Sequence, residues 1–269
     1  MAKKETAKSG TSLTVWDEEL AKMAMQGAAK EKAGGSWLSI KGGMLTLGGA
    51  PVKGNKLSVI VLSSMAERKF FSDAYDSDNP APPDCYAFAD PKGTDNEPVA
   101  PHANAGNKQA DACADCENNA WKSADNGKGK ACKEVRRLAL LPATLLQDAK
   151  ALATTEVTYL NIPVTSVRSF GTYTHAVAEA EKRPLFGVVT EIEVTPDPKV
   201  QVRVNFTFVE KIKDTAALKV LLERKPKADA DIMFPYPEAA PAETKAKPRS
   251  NAKFKAGAKA KAKKAGGRR

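Results

Sequence analysis

Residues 185–209 read Leu185-Phe-Gly-Val-Val-Thr-Glu-Ile-Glu-Val-Thr195, then Pro196-Asp197-Pro198 and Lys199, then Val200-Gln-Val-Arg-Val-Asn-Phe-Thr-Phe-Val209. In the second segment Val202, Val204, Phe206 and Phe208 alternate with Gln201, Arg203, Asn205 and Thr207. A strand sends successive side chains to opposite faces, so this period of two predicts a half-buried strand. The two segments about Pro196-Asp197-Pro198 predict a hairpin.

Upstream, Leu57 to Phe71 reads as a long strand with Leu57, Val59 and Val61 on one face. Trp37–Lys41 and Met44–Leu47 flank Gly42-Gly43, a pattern for two short strands about a tight turn, and Pro51 to Asn55 form another turn. Arg136–Leu141 and Val157–Val164 are further strands, with a short helix expected over 143–152. Longer helices are expected over Val15–Lys32, where Trp16, Leu20, Met23 and Ala24 share a face, over Ser166–Lys182 before Pro184, and over Asp214–Arg224.

After residue 56 the order is strand, insertion, strand, strand, helix, strand, strand. That is the order of an OB-fold barrel, and the alternative is another α+β sheet. The expected fold is therefore α+β and β-rich: an OB-fold-like barrel with a four-cysteine metal-binding insertion and a disordered basic C-terminal tail. Residues 1–12 are a loose N-terminus, 13–225 the domain with its insertion at 73–132, and 226–269 a disordered linker and tail.

The insertion is rich in Asp, Asn, Gly and Pro and poor in branched apolar residues, so it needs an organiser other than a core. It holds all four cysteines. Cys113-x2-Cys116 is a chelating pair, Cys132 lies 16 residues on, and Cys85 lies 28 residues before Cys113. Four thiolates at about 2.3 Å complete a tetrahedral structural zinc site, with an iron–sulfur cluster as the alternative cofactor. His102 is a substitute for Cys85 in that set. Gly127 and Gly129, beside Lys128 and Lys130, suit a tight turn next to an anionic centre. Trp121 either caps the metal knuckle or offers a ring for stacking on a base.

The 269 residues carry 42 Lys and Arg against 32 Asp and Glu. Residues 244–269 hold eight Lys and three Arg with no acid, which leaves 31 basic against 32 acidic side chains elsewhere. A near-neutral body with such a tail points to a polyanionic partner, against the plainer reading of a solubilising extension. No run of 18 apolar residues is present, and no apolar segment follows Met1-Ala-Lys-Lys-Glu, so neither a membrane span nor a secretory signal is expected. Four cysteines in a cytosolic chain point to metal before disulfides.

Enzyme signatures are missing from the sequence. The chain has two histidines, and neither is tied by a known motif to a serine or cysteine. No phosphate-binding loop follows a strand. Acidic pairs such as Asp76/Asp78 and Asp111/Asp115 sit in polar stretches that read as solvated loops.

The stretches Trp37-Leu-Ser-Ile-Lys-Gly-Gly-Met-Leu-Thr46, Asn79-Pro-Ala-Pro-Pro-Asp-Cys-Tyr-Ala-Phe88 and Gly127-Lys-Gly-Lys-Ala-Cys-Lys-Glu-Val-Arg-Arg-Leu138 resemble a group of tailed-phage or prophage zinc-containing proteins, as do Pro163-Val-Thr-Ser-Val167 and Phe186-Gly-Val-Val-Thr-Glu-Ile192. The resemblance spans 36–210 and implies expression in the cytoplasm of a bacterial host. More broadly the chain is similar to the T-even phage single-stranded DNA-binding proteins, which carry a zinc insertion in an OB-fold. Those use a mixed cysteine and histidine site and an acidic tail; here the candidate ligands are all cysteine and the tail is basic.

The function expected is single-stranded nucleic-acid binding in phage replication or recombination, DNA rather than RNA, with replication or recombination proteins as further partners and no membrane. The alternatives are a zinc-containing interaction protein acting on host transcription or virion parts, and a metal-dependent nuclease. The candidate contacts are Arg68, Lys69, Tyr86, Trp121, Lys128, Lys130, Arg136 and Arg203 in the body, and Lys259, Lys261, Lys263, Lys264, Arg268 and Arg269 in the tail.

Overall fold

The computed structural model describes residues 37–73, 81–91 and 96–236, together with Trp16, Glu19, Leu20, Lys22 and Met23. Those five are helical and exposed; the rest of the helix expected over Val15–Lys32, residues 1–12 and the tail lie outside the described residues.

The described strands form one mixed, strongly curled sheet with few helices. They are β1 (Trp37–Lys41), β2 (Met44–Leu47), β3 (Ala50–Pro51), β4 (Lys56–Phe70), β5 (Cys85–Phe88), β6 (Lys133–Pro142), β7 (Thr158–Ile162), β8 (Val188–Asp197) and β9 (Gln201–Lys211). The order across the sheet is β3-β2-β1-β7-β6-β4-β8-β9, and β5 pairs with the far end of β4. All pairs are antiparallel except β1 with β7. Within residues 96–236 the α-helices are α1 (Ala149–Thr154), α2 (Val164–Glu181) and α3 (Thr215–Asp231).

Local chemistry accounts for most of these elements. Gly42 and Gly43 take φ of 56° and 78°, the left-handed pair that a two-residue hairpin turn needs. Asp148 caps α1 by accepting from the N–H groups of Lys150 and Ala151 at 2.9 and 3.0 Å, and Asp214 caps α3 by accepting from Ala216 N–H at 2.9 Å. The ladder slips a residue between Val61 and Ser63 on β4 and between Val189 and Thr190 on β8. Such bulges bend strands, and here the sheet curls until β2 contacts β8.

The curl encloses a core of Leu38, Leu45, Val59, Val61, Leu138, Leu140, Leu160, Ile162, Ile192, Val194 and Val204. Helix α2 closes it with Phe170, and Ser166 Oγ accepts from Val204 N–H at 2.9 Å. On the convex face Leu221, Ala217 and Ala228 of α3 pack with Leu152 of α1 against Ile60, Leu62 and Leu141.

Three expectations need correction. Cys85–Phe88, read as part of a coreless insertion, is a sheet strand paired to Glu67–Phe70. The helix expected over Asp214–Arg224 runs through Pro226 to Asp231. The chain beyond Lys225, expected to lack structure, stays packed as far as Tyr236: Ile232 is fully buried, and Phe234 sits edge-on to Trp37 and Tyr159.

That C-terminal strap is held by a buried charge. Arg137 and Glu67 are both fully buried and meet at 3.0 Å. Arg137 Nη1 also donates to the carbonyls of Ile232 and Phe234, each at 3.0 Å. Its guanidinium lies 4.7, 4.1 and 5.4 Å from the ring centroids of Phe88, Phe234 and Tyr236. Tyr236 O–H donates to Glu67 Oε1 at 2.6 Å.

Candidate functional site

Two places on the body gather chemistry. The first is a cleft where β1 and β7 part. Their parallel pairing covers only Trp37 with Tyr159 and Leu38 with Leu160. Beyond that point a space of about 460 Å³ opens, lined by Ser39 and Ile40 on one side, Asn161, Ile162 and Pro163 on the other, and by Trp37, Lys69, Val135 and Val202. Asn161 Oδ1 is shielded from solvent and has no partner. The Lys69 side chain is 14% exposed, with Nζ 3.7 Å from Glu67 Oε2 and 5.7 Å from the Tyr236 ring. Burial lowers its pKa, and the Glu67 carboxylate opposes the shift. Trp37 is 40% exposed.

The second place is the cysteine site. Cys85 at the start of β5, Cys113, Cys116 and Cys132 line one cavity of about 20 Å³, room for a single water-sized guest. The turns that bring them there are tied by backbone bonds: Cys113 N–H to Val99 O at 2.8 Å, and Cys132 N–H to Asn118 O at 2.8 Å. Burial pushes the thiols of Cys85 and Cys113 up, and that of Cys132 to about 12. Among the described residues no group of three or more His, Cys, Asp or Glu side chains stands preformed for a metal ion. The four thiols share the cavity without being closed around an ion.

All four cysteines are free. The protein should therefore show no native disulfide: intact mass under denaturing, non-reducing conditions should equal the fully reduced value. A deficit of the four thiol hydrogens in protein kept from air would contradict this.

Comparisons with protein-family models, curated proteins and solved structures return no match.

The candidate contacts in the body do not form one face. Tyr86 is 2% exposed, stacked on His102 at 5.0 Å, and presents no ring to a base. Arg68 is 7% exposed and faces the cysteine cavity. Arg136 is half-buried, with Nε and Nη1 shielded and unpartnered. All three lie on β-strands that the insertion folds over, which strand alternation alone did not reveal. Arg203 is exposed but its Nε is 2.5 Å from Asp197 Oδ2. Lys130 donates to Asn119 Oδ1 at 2.9 Å, and Lys128 is exposed. Trp121 does not cap the cysteines: it is 72% exposed. His102 lies outside the cavity lining, and its Nδ1 accepts from Asn104 N–H at 3.1 Å. The tail candidates Lys259, Lys261, Lys263, Lys264, Arg268 and Arg269 lie outside the described residues.

Sequence reading missed Trp37 and Asn161. A signal for Trp37 was present: Trp37, Ser39 and Lys41 alternate with the inward Leu38 and Ile40, which turns the tryptophan outward. None existed for Asn161, because the parallel pairing that creates the cleft joins residues about 120 positions apart.

Proposed function

We propose that this protein binds single-stranded DNA in phage replication or recombination, within the cytoplasm of the bacterial host, through the cleft between β1 and β7. The observation that carries the reading is the cleft itself. It combines an outward indole, an unpartnered amide oxygen and a largely buried lysine in a space sized for a nucleotide. An exposed base can stack on Trp37, Asn161 can pair with its edge, and Lys69 can meet a phosphate.

The order β7-β6-β4-β8-β9, with α2 between β7 and β8, supports an OB-fold-like barrel. In that reading β6 and β7 are the second and third strands, the face on which such barrels take oligonucleotides, and the cleft lies along them. Trp121, exposed on the insertion beside Lys122, is a second stacking ring. No helix among the described residues is long and apolar enough to cross a membrane.

Fluorescence anisotropy with labelled single-stranded DNA, duplex DNA and RNA tests the reading. Single-stranded DNA should bind most tightly, and Trp37→Ala should weaken it roughly 5- to 150-fold, the equivalent of about 1–3 kcal/mol for one stacked base. Equal affinity for duplex and single strands, unmoved by that substitution in a variant that melts like the parent, would remove the cleft from consideration. No nucleic-acid binding at all would favour the interaction-protein reading.

A further inference from the structure

Outside the cleft, Arg68 is a buried cation at the cysteine cavity. It is 7% exposed and shares the lining of that cavity with Cys85, Cys113, Cys116 and Cys132. Nη2 meets Glu97 Oε2 at 2.7 Å and Nη1 donates to Pro98 O at 3.3 Å, while Nε is shielded from solvent and has no partner. A buried donor without an acceptor is rare and calls for an explanation.

We propose that Cys85, Cys113, Cys116 and Cys132 form a mononuclear four-thiolate zinc centre, and that Arg68 is the positioning residue that offsets its charge. Four neutral thiols and one Zn²⁺ give a centre of net charge −2 and four released protons, with no change in oxidation state. A double negative charge inside the protein needs compensation, and Arg68 is the buried cation at hand, with one donor still to fill. The Glu97 carboxylate on its outer side is 61% exposed, so it screens Arg68 only weakly from the sulfurs. The cavity, at about 20 Å³, has room for one ion. The inference is independent of strand binding. It also reassigns Arg68 from a phosphate contact to a partner of the metal.

The test uses full-length protein purified anaerobically. Elemental analysis should give one zinc per chain without acid-labile sulfide, and cobalt substitution should give the absorption of a tetrahedral four-thiolate site. Arg68→Met should bind zinc about 10- to 100-fold more weakly and surrender it faster to a chelator, the usual range for loss of an outer-sphere partner. Arg68→Lys should recover part of that loss, because it restores the charge without the planar fork. Glu97→Gln should keep zinc at the parental affinity, which separates an effect on the metal from loss of the Glu97 ion pair. If the parent protein carries no metal, or carries iron with sulfide, the zinc centre is wrong. If the parent carries zinc and all three variants hold it equally well, the centre stands and the role of Arg68 is overturned.

Discussion

Arg137→Met should destabilise the body by about 3–5 kcal/mol, the cost of removing one partner of a buried ion pair and leaving the other charge uncompensated. Glu67 would keep only the Tyr236 hydroxyl at 2.6 Å and the distant Lys69 ammonium at 3.7 Å. Two carbonyls, the buried one of Ile232 and the partly buried one of Phe234, would lose their donor, and three rings would lose the cation between them. Urea denaturation measures the effect. The double variant Glu67→Met/Arg137→Met should regain a large part of the loss, because it removes the stranded charge along with its partner. A single variant within about 1 kcal/mol of the parent would mean that the strap is not anchored by Arg137.

The second large effect concerns charge. Deleting residues 244–269 removes eleven of the 42 basic side chains and leaves a body with 31 basic and 32 acidic groups. Full-length protein should then show a steep loss of affinity with salt, with a log–log slope of about −0.7 for each phosphate met on a single strand. If most of the eleven cations meet phosphates, doubling the salt should weaken binding on the order of a hundredfold. The truncated protein should bind more weakly at low salt, with a much shallower slope, and should keep whatever strand preference the cleft supplies. A salt titration by anisotropy decides it. Identical slopes for the two forms would exclude the tail from the contact.

What could be read in the sequence was what depends on near neighbours. The β8–β9 hairpin follows from side-chain alternation, the β1–β2 turn from Gly42-Gly43, and α2 from the spacing of Phe170 and Val177 before Pro184. The Cys113-x2-Cys116 spacing points to a metal; the structure sets the four cysteines along one cavity, with no preformed metal-binding group among the described residues. What depends on distant partners was not legible. Cys85–Phe88 reads as loop because its strand character comes from β4. Pro226 ended the expected helix early, although α3 continues past it because Ala228 and Ile232 bury apolar surface on the far side. Nothing in the sequence around Glu67 and Arg137 marks them as a pair. Only the folded strap shows that they face each other in the interior.

The sheet also sets a timetable for synthesis. Its longest strand, β4, is flanked by β6 across the insertion on one edge and by β8 on the other, and β1 waits for β7. A ribosome adds about 5–20 residues per second, so roughly ten seconds separate the completion of β4 from that of β8. During that interval the apolar run from Val59 to Leu62 has no complete sheet to join. In the newly made chain this stretch is the one most exposed to wrong pairing with another molecule, and the one a chaperone would need to cover.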